Sequence, residues 1–415
     1  MNRVKTLSFF FSIILILLLA GCQTDDEKKS AENFLQEHVE WLSDVERGGR
    51  LAGSPEEADA ANYIADLFLQ FGVEPAGDDG TYFQQFTLTG PIPQVMEKEN
   101  YLSRNVAGRI EGTVHPGRYI ILGAHFDGQG EGGLISMDHD GEPTIHPSAD
   151  DNASGTAGLL HFARHFAENP ANHSILLLAF SGEELGLLGS RHFVSEMEIP
   201  KDSVLAMINM DMIGRMADGE INIFGTGTAN VWDEILDTAV NDTLNITTSP
   251  GGMGSSDHAP FYEAGIPVLH YFTGTHEDYH RPTDTAEKIN YSGMMLVLNH
   301  IMETINRLDD LDITEIEFVE STDQRSSPMR GNGVRMGVIP DYNYSGSGLR
   351  VESVRAGETA DRYGLEDGDI IIKMGDDEIS DIFEYMEALS NLQTGDKVNI
   401  LLLRNGRELE LTVEF

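Results

Sequence analysis

The stretch from Leu176 to Gly186 constrains the fold of this chain more than any other. It begins with an uninterrupted apolar run that ends at Phe180, and it continues into two adjacent carboxylates, Glu183 and Glu184. An apolar run without polar alternation is typical of a strand that is buried on both faces, as in parallel sheets covered by helices. In open sheets of that kind, ligands bind just beyond the carboxyl ends of the strands. The stretch therefore predicts an α/β fold with two acids at its reactive edge.

Strand patterns alternate with helix patterns along most of the chain. Apolar runs predict strands at 105–110, 119–124, 175–180, 204–212, 221–224 and 266–272. Apolar residues at helical spacing predict helices at 31–42, 156–168, 231–240 and 296–308, and Ser54-Pro55 marks the start of another. This alternation predicts one α/β unit over residues 31–312, with a mostly parallel central sheet and helices on both faces.

The first 22 residues have the pattern of an export signal. Arg3 and Lys5 precede an apolar run over 9–20, which is short for a membrane span, and Leu19-Ala20-Gly21-Cys22 follows. The ending resembles the bacterial lipoprotein cleavage box, which implies a lipid on Cys22, the only cysteine of the chain. Residue 23 is Gln rather than Asp, which predicts an outer-membrane lipoprotein on the periplasmic or the cell-surface face, with 23–30 as a tether.

The charge balance excludes one class of partner. The chain has 69 acidic residues against 27 basic ones, a formal charge of -42. Such a surface repels phosphate backbones, so we expect no nucleic-acid ligand.

A second, smaller domain follows the α/β unit. Residues 313–332 lose periodicity and predict a linker, and 333–415 have the length of a small domain. The pattern Gly-Leu-x-x-Gly-Asp-x-Ile at 364–371 makes this part resemble a PDZ domain of the bacterial, protease-associated kind, a β-rich α+β fold. Such domains bind an extended peptide at a sheet edge. By that resemblance, Gly348 and Leu349 would form the peptide-binding loop.

Five segments of the α/β unit carry residue types that bind metal ions. One of them is Glu183-Glu184. A second is the predicted strand that ends at His125, with Asp127 placed to orient the ring. A third is the predicted strand that ends at a buried acid, Asp211. The remaining two are an acidic turn before a helix and an irregular loop that holds a histidine. The candidate ligands outside the glutamate pair are His125, Asp151, Asp211 and His280.

Together these segments resemble the metallo-exopeptidase family of the bacterial leucyl aminopeptidases and glutamate carboxypeptidases, with the glutaminyl cyclases as relatives. The resemblance implies the zinc-exopeptidase, phosphorylase/hydrolase-like fold and makes residues 31–312 a metallopeptidase domain. It implies two Zn²⁺ per chain, although Mn²⁺ or Co²⁺ would also suit these ligands. By motif, His125 and Asp211 would bind one ion, Glu184 and His280 the other, and Asp151 would bridge them.

The same resemblance assigns the chemistry. Glu183 would be the general base and acid, Asp127 would orient His125, and Asp257 and His258 would position the substrate. Two metal ions lower the pKa of a bound water, and a free carboxylate can then move its proton to the leaving amine. The expected activity is an aminopeptidase acting on peptides with a free N-terminus, with the PDZ domain recruiting or regulating substrate.

Two other hypotheses remain open at this point. A glutaminyl cyclase or a carboxypeptidase would use the same fold, although cyclases use one zinc and a carboxypeptidase needs a basic group for the terminal carboxylate. A peptidase-like scaffold without activity would bind peptides only, and such relatives usually lose metal ligands. The sequence does not give the side-chain preference at the cleavage site, the resident metal, the PDZ ligand or the oligomeric state.

Overall fold

Strands without an exposed residue form the middle of the main sheet. In a computed structural model of the chain, all eight residues of His173–Phe180 and all seven of Val204–Met210 are buried. Helices on both sides of the sheet keep these strands from water, as the unbroken apolar runs predict.

The structure describes residues 28–90, 93, 97–98, 100–132, 136–138, 143–238, 243–321, 336–340, 347–354, 357–375, 377–379, 384–385, 388–389, 392–393 and 395–415. The predicted signal segment 1–22, with Cys22, lies outside these ranges. Residues 28–30, the end of the predicted tether, are already helical.

Within these ranges the longer helices agree with the sequence predictions to within a few residues, apart from α7, which begins earlier. Three short helices, α4, α6 and α8, were not predicted. The helices are α1 (28–42), α2 (Pro55–Phe71), α3 (Gly155–Glu168), α4 (Leu188–Ser195), α5 (Trp232–Thr238), α6 (His258–Glu263), α7 (Tyr291–Asp309) and α8 (Thr359–Tyr363).

The strands of the first unit include three that the sequence patterns did not indicate, namely β1, β2 and β8. They are short and lie at the sides of the sheet, where alternation is weak. The strands are β1 (Glu74–Pro75), β2 (Phe83–Thr87), β3 (Leu102–Ile110), β4 (His115–His125), β5 (His173–Phe180), β6 (Val204–Met210), β7 (Glu220–Phe224), β8 (Asn245–Ser249) and β9 (Val268–Phe272).

The main sheet is parallel at its centre, and antiparallel pairings join that centre to the strands on both sides, where β7 and β8 pair in parallel with each other. Its order is β1-β3-β5-β4-β6-β9-β7-β8, with β2 paired to β3. β4 pairs in parallel with β5 and β6, and β6 pairs in parallel with β9. Pairings of β3 with β1, β2 and β5, and of β7 with β9, are antiparallel. The α/β class is confirmed, and the sheet is mixed.

The parallel centre brings the predicted site residues to one edge. β4 ends at His125, β5 ends three residues before Glu183, and β6 ends immediately before Asp211. Because these neighbours run in the same direction, their carboxyl ends lie side by side.

Residues 313–321, the first part of the predicted linker, pack on the α/β unit. The N–H of Val319 donates to the carbonyl of Thr228 at 2.9 Å, and Phe318 forms a bridge with Ala229. Ile316 packs against the main core. These residues therefore extend the first unit beyond its predicted end at 312, while 322–332 lie outside the described residues.

The C-terminal part has a core and a sheet of its own. Its strands are β10 (Val338–Pro340), β11 (Leu349–Val354), β12 (Ile370–Met374), β13 (Asp377–Glu378), β14 (Lys397–Arg404) and β15 (Arg407–Glu414). They form an antiparallel sheet of order β10-β11-β12-β14-β15, with β13 on β12. A tight hairpin at Asn405-Gly406 joins β14 to β15.

The predicted peptide-binding loop lies where β11 begins, and its role stays a prediction. Leu349 is 3% exposed, lies in the core and pairs with Ile371 of β12, while a Cβ on Gly348 would meet the side chain of Ile370 at 2.6 Å. Leu349 is thus part of the sheet, and Gly348 directly precedes it. Among the described strands, β10 and β15 stand at the two ends of the order, and a peptide strand pairs at such an edge.

None of the helices in the described ranges is both long enough and apolar enough to cross a membrane.

Helix α2 starts as predicted and buries an acid in doing so. The Ser54 hydroxyl accepts a hydrogen bond from the N–H of Glu57 at 3.0 Å. The Glu57 side chain, 1% exposed, accepts from the Ser103 hydroxyl at 3.1 Å, and that hydroxyl lies 2.9 Å from the Ser181 hydroxyl. Burial raises the pKa of Glu57 to about 7, although the hydrogen bonds from Ser181 and Ser103 oppose that rise.

Glu57→Gln should change the pH dependence of stability. The folded state holds the Glu57 proton more tightly than the unfolded chain, so the stability that this proton contributes is complete below pH 4.5 and is lost as pH rises through about 7. Glutamine does not titrate. The difference in free energy of unfolding between the variant and wild type should therefore shift in favour of the variant by up to about 3 kcal/mol between pH 4.5 and pH 8.

The measurement is thermal unfolding of both proteins at the two pH values. Asp59→Asn, an exposed change on the same helix, is the control and should show no such gain. An unchanged difference between Glu57→Gln and wild type at both pH values would contradict the protonated state of Glu57.

Candidate active site

His125 ends β4 with one ring nitrogen oriented by Asp127. The ring is 1% exposed, and its Nδ1 lies 3.6 Å from the Asp127 carboxylate and 3.3 Å from the Asp127 carbonyl oxygen. The same carboxylate accepts the N–H of Glu183 at 3.2 Å. Asp127 therefore fixes both the histidine ring and the turn that carries Glu183, and Nε2 of His125 faces away toward other acids.

Asp151 is held by a neighbouring carboxylate through its backbone. Residues Ala149–Ser154 form one wide helical turn before α3, and Asp284 Oδ2 accepts the N–H groups of Asp150 and Asp151 at 2.9 and 3.1 Å. Asp150 points away from the site, where its side chain accepts the N–H of Gly214 at 2.7 Å. This arrangement leaves the Asp151 carboxylate to face the histidines.

The two Asp151 oxygens lie between two histidines. Oδ1 is 3.3 Å from His125 Nε2, and Oδ2 is 3.2 Å from His280 Nε2. Burial alone would raise the pKa of Asp151, but the two imidazoles outweigh it and hold that pKa below its usual range. Asp151 is thus ionised and faces both halves of the site.

The two adjacent glutamates divide between those halves. Gly182, at a φ of 73°, turns the chain after β5 as only glycine does without strain. Glu184 lies 3.4 Å from His280 Nε2 and accepts a hydrogen bond from Gln129 at 3.2 Å. Burial raises the pKa of Glu183 well above its usual value and that of Glu184 to about 8. A positive charge at the site would offset this cost.

A hydrogen bond from Ser256 holds one oxygen of the Asp211 carboxylate. The Ser256 hydroxyl donates to Asp211 Oδ2 at 2.7 Å and accepts from Asn209 at 2.8 Å. Asp211 Oδ1 lies 3.4 Å from His125 Nε2. Burial disfavours a charged His125, yet the carboxylates of Asp211 and Glu183 prevail and raise its pKa well above the usual value.

These side chains form two groups that fit metal ions. In His125, Glu183 and Asp211, and again in Asp151, Glu184 and His280, candidate ligand atoms lie within 4.8 Å of one another. Buried His125 Nε2 and Asp211 Oδ1 have no hydrogen-bond partner in the described part of the chain. Four ligands around a zinc ion at about 2.0 Å stand about 3.3 Å apart. The facing atoms of His125, Asp151, Asp211, Glu184 and His280 show such spacings.

The loops of the site contain unusual backbone. Arg50, Ser148, Met212 and His280 have φ between 51° and 54° although none is glycine. Each such residue costs about 1–3 kcal/mol and persists only where its surroundings impose it. All four lie next to or within the segments that carry the site.

Asp257 and His258, predicted to position substrate, lie beneath the site. They are 0% and 1% exposed, and the His258 ring stacks on His270 with centroids 4.4 Å apart. Burial raises the pKa of Asp257 to about 7. The segment reaches the site through Ser256, which donates to Asp211, and the substrate-positioning role of this pair stays a prediction.

Several site residues were missed at the sequence level. Asp284 lies in the same loop as His280, and Ser256 lies next to Asp257, but their partners are far away in sequence. Gln129 had no signal of its own. Only the convergence of the loops shows that these residues support the candidate ligands.

Comparison with known proteins agrees with this geometry. Residues 105–305 match Peptidase family M28, and residues 316–415 match the PDZ domain. The α/β unit is a member of peptidase family M28. Membership of this family and the donor set both support zinc at the site, and the predicted PDZ domain is confirmed.

Relatives of the M28 unit include peptidases. Aminopeptidase YwaD of Bacillus subtilis (strain 168) is 35% identical over 209 residues, which are 46% of this chain and 41% of YwaD. The chain thus matches less than half of that relative's length.

Solved structures share the M28 fold at lower identity. BSAP, a zinc aminopeptidase from Bacillus subtilis, aligns with a TM-score of 0.54 at 18% identity, covering 69% of this chain and 98% of BSAP. Porphyromonas gingivalis glutaminyl cyclase aligns with a TM-score of 0.53 at 20% identity, covering 68% and 97%. At these identities the likeness shows the fold alone, so the site must decide between the two activities.

Removing the carboxylate of Asp284 should weaken metal binding. Asp284→Ala leaves two amides of the Asp151 turn without an acceptor, and loss of such supporting groups costs about 10–100-fold in metal affinity or activity. Asp284→Asn keeps an acceptor oxygen and should fall between Ala and wild type. Titration of zinc against a competing chelator measures this order, and equal affinity in all three proteins would refute it.

Proposed function

We propose that this chain is a zinc aminopeptidase that removes N-terminal residues from peptides. The observation that carries the proposal is the position of Asp151, whose two oxygens lie 3.3 and 3.2 Å from His125 and His280. A carboxylate placed between two ligand groups is suited to join two metal ions.

The residues divide naturally into two ligand sets. His125 and Asp211 would hold one zinc ion, Glu184 and His280 the other, and Asp151 both. When bound, the ions would supply Lewis acidity toward the peptide carbonyl and lower the pKa of a nearby water. Mn²⁺ or Co²⁺ would suit the same donors.

Glu183 is suited to move the proton. Its backbone N–H is fixed by Asp127, and its side chain is close to His125 and Asp211 without a hydrogen bond to either. A general base must lie within reach of the water that attacks the peptide carbonyl. Glu183 would take the proton of that water and deliver it to the nitrogen of the departing amine.

The excess of carboxylates favours a cationic end of the substrate. Asp127, Asp151, Glu183, Glu184 and Asp211 converge at one edge of the sheet. Two Zn²⁺ ions would offset four of these five charges and leave one carboxylate in excess at the reactive edge. That remaining charge attracts a free N-terminal ammonium group and repels a C-terminal carboxylate, which supports an aminopeptidase over a carboxypeptidase.

Glutaminyl cyclase activity is the alternative on the same fold. It was expected to need one zinc ion only, and the pair His125 and Asp211 supports a second. The number of ions per chain therefore separates the two hypotheses.

The remaining parts of the chain would localise the enzyme and supply peptides. Lipidated Cys22 would anchor it as an exported lipoprotein of the outer membrane. The PDZ domain would recruit or regulate substrate by binding an extended peptide at an edge of its sheet.

Peptide cleavage should depend on metal and on a free N-terminus. Chelation should abolish release of N-terminal residues, and zinc should restore it, because the ions would supply the Lewis acidity that acts on the peptide carbonyl. The same peptides with an acetylated N-terminus should be cleaved poorly or not at all. Activity that survives chelation, or faster cleavage of acetylated peptides, would defeat the proposal, and one zinc with cyclisation of N-terminal glutamine would establish the alternative.

Glu183→Gln should abolish turnover while metal remains bound. Glutamine keeps the shape but cannot accept the proton, and removal of a general base typically costs about 10²–10⁴-fold in rate. The matched control is Glu196→Gln, a change in an exposed residue outside the site. Metal content and kcat are measured together; a Glu183→Gln protein with normal kcat would rule out this role, and a wild type without turnover would indicate a binding scaffold.

A further inference from the structure

Arg50 is a fully buried cation beneath the site. It is 0% exposed and ends the helical turn Val45–Arg50 in a left-handed conformation. Its guanidinium donates to the carbonyls of Phe126 at 2.8 Å, Pro147 at 2.9 Å and Ser148 at 2.9 Å, and it also donates to the carbonyl of Leu42. Four carbonyls from three separate segments thus surround one side chain.

The hydrogen bonds of Arg50 are unusual for a buried charge. Buried arginines are ordinarily paired with carboxylates, because carbonyls satisfy the donors but leave the charge uncompensated. Here the compensation comes from acids that the guanidinium does not bond directly: Asp127, Asp284, Asp151 and Glu184. Burial lowers the pKa of Arg50 to about 10, so the group stays charged at neutral pH.

The carbonyls that accept from Arg50 belong to the loops of the site. One lies between His125 and Asp127, and two others belong to the residues just before the turn of Asp151. A single planar group therefore sets the separation between the segments that carry two candidate ligands. The planar fork of arginine has donors in several fixed directions, which a lysine ammonium does not reproduce.

Close backbone packing supports the same turn. The carbonyls of Gly49 and Arg50 accept from the N–H groups of Gly130 and Gly128 at 3.0 and 3.2 Å. A Cβ on Gly49 would lie 2.5 Å from the carbonyl oxygen of Gly130 and 2.6 Å from that of His146. The turn thus packs closely against the loops that follow His125 and precede Asp151, with no space for a larger residue at position 49.

We propose that Arg50 is a positioning residue for the metal site, holding the His125 and Asp151 loops at their separation and serving as the resident counter-charge for the surrounding carboxylates. It touches neither substrate nor metal. The inference rests on the proposed function, because it assumes that these loops bind zinc. It goes further by giving a buried arginine outside the ligand set a defined contribution to metal binding.

Two substitutions separate the two contributions. Arg50→Lys keeps the charge and loses the fork, so we expect zinc binding to weaken by about 10–100-fold, as for other groups that support metal ligands. Arg50→Met loses the charge as well. Its metal-free form should unfold at a lower temperature than metal-free Arg50→Lys, and saturating zinc should narrow that gap, because the bound cation replaces the missing positive charge.

The measurements are the zinc dissociation constant by competition with a chromophoric chelator, and unfolding temperatures with and without zinc. Ile305→Ala, in the core of α7, is the control: it should lower the unfolding temperature and leave zinc affinity unchanged. Wild-type zinc affinity in Arg50→Lys, or a gap between the Lys and Met variants that zinc does not change, would overturn the proposal.

Two further outcomes are equally decisive. If neither variant folds even with saturating zinc, the proposal fails, because a cation that replaces the counter-charge should rescue folding. If wild type itself binds no zinc, the proposed function fails first. Zinc binding by wild type with unaltered binding in Arg50→Lys refutes only the role of Arg50.

Discussion

Carboxylates that repel one another share one edge of the sheet, and the rest of the structure depends on the positive charges and hydrogen-bond donors that offset this repulsion. Two like charges about 4 Å apart cost about 4 kcal/mol at the effective dielectric of a protein site. The α/β unit distributes compensation among its own groups. Imidazoles of His125 and His280 face Asp151, backbone amides cap Asp284 and Asp150, and a buried guanidinium lies below. This compensation lets the ligand groups stay close together in a fold that buries them.

The parallel centre of the sheet brings these side chains together at a low cost in conformational entropy. Side chains at the ends of β4, β5 and β6 are neighbours because the strands are, so no long loop has to be ordered to bring them together. Asp151 and His280 lie outside these strand ends, and each is held by contacts to residues outside its own segment. The sheet thus positions the residues that follow β4, β5 and β6, and contacts between segments position the other two.

Most of the fold and the site residues were predictable from sequence, and the failures have physical reasons. Unbroken apolar runs indicated β4, β5 and β6, because burial on both faces leaves no other composition. Short side strands such as β8 carry no comparable signal. A glycine-containing motif such as Gly348-Leu349 does not show which strand will pair beside it; in the structure Leu349 pairs with Ile371 of β12. Arg50 and Asp284 were not assigned a role because their partners lie about a hundred residues away.

Adjacent acids illustrate the limit most clearly. The Asp150 carboxylate accepts a hydrogen bond from the N–H of Gly214, whereas the Asp151 carboxylate faces the two histidines. Glu183 and Glu184 likewise belong to different groups of candidate metal ligands. Neighbouring side chains on a turn point in different directions, so one acid of a pair can serve the scaffold while the next serves the chemistry. Which acid does which depends on distant donors such as the N–H of Gly214. A paired-acid motif therefore identifies a reactive edge, and the tertiary hydrogen bonds determine which of its oxygens is free to bind a cation.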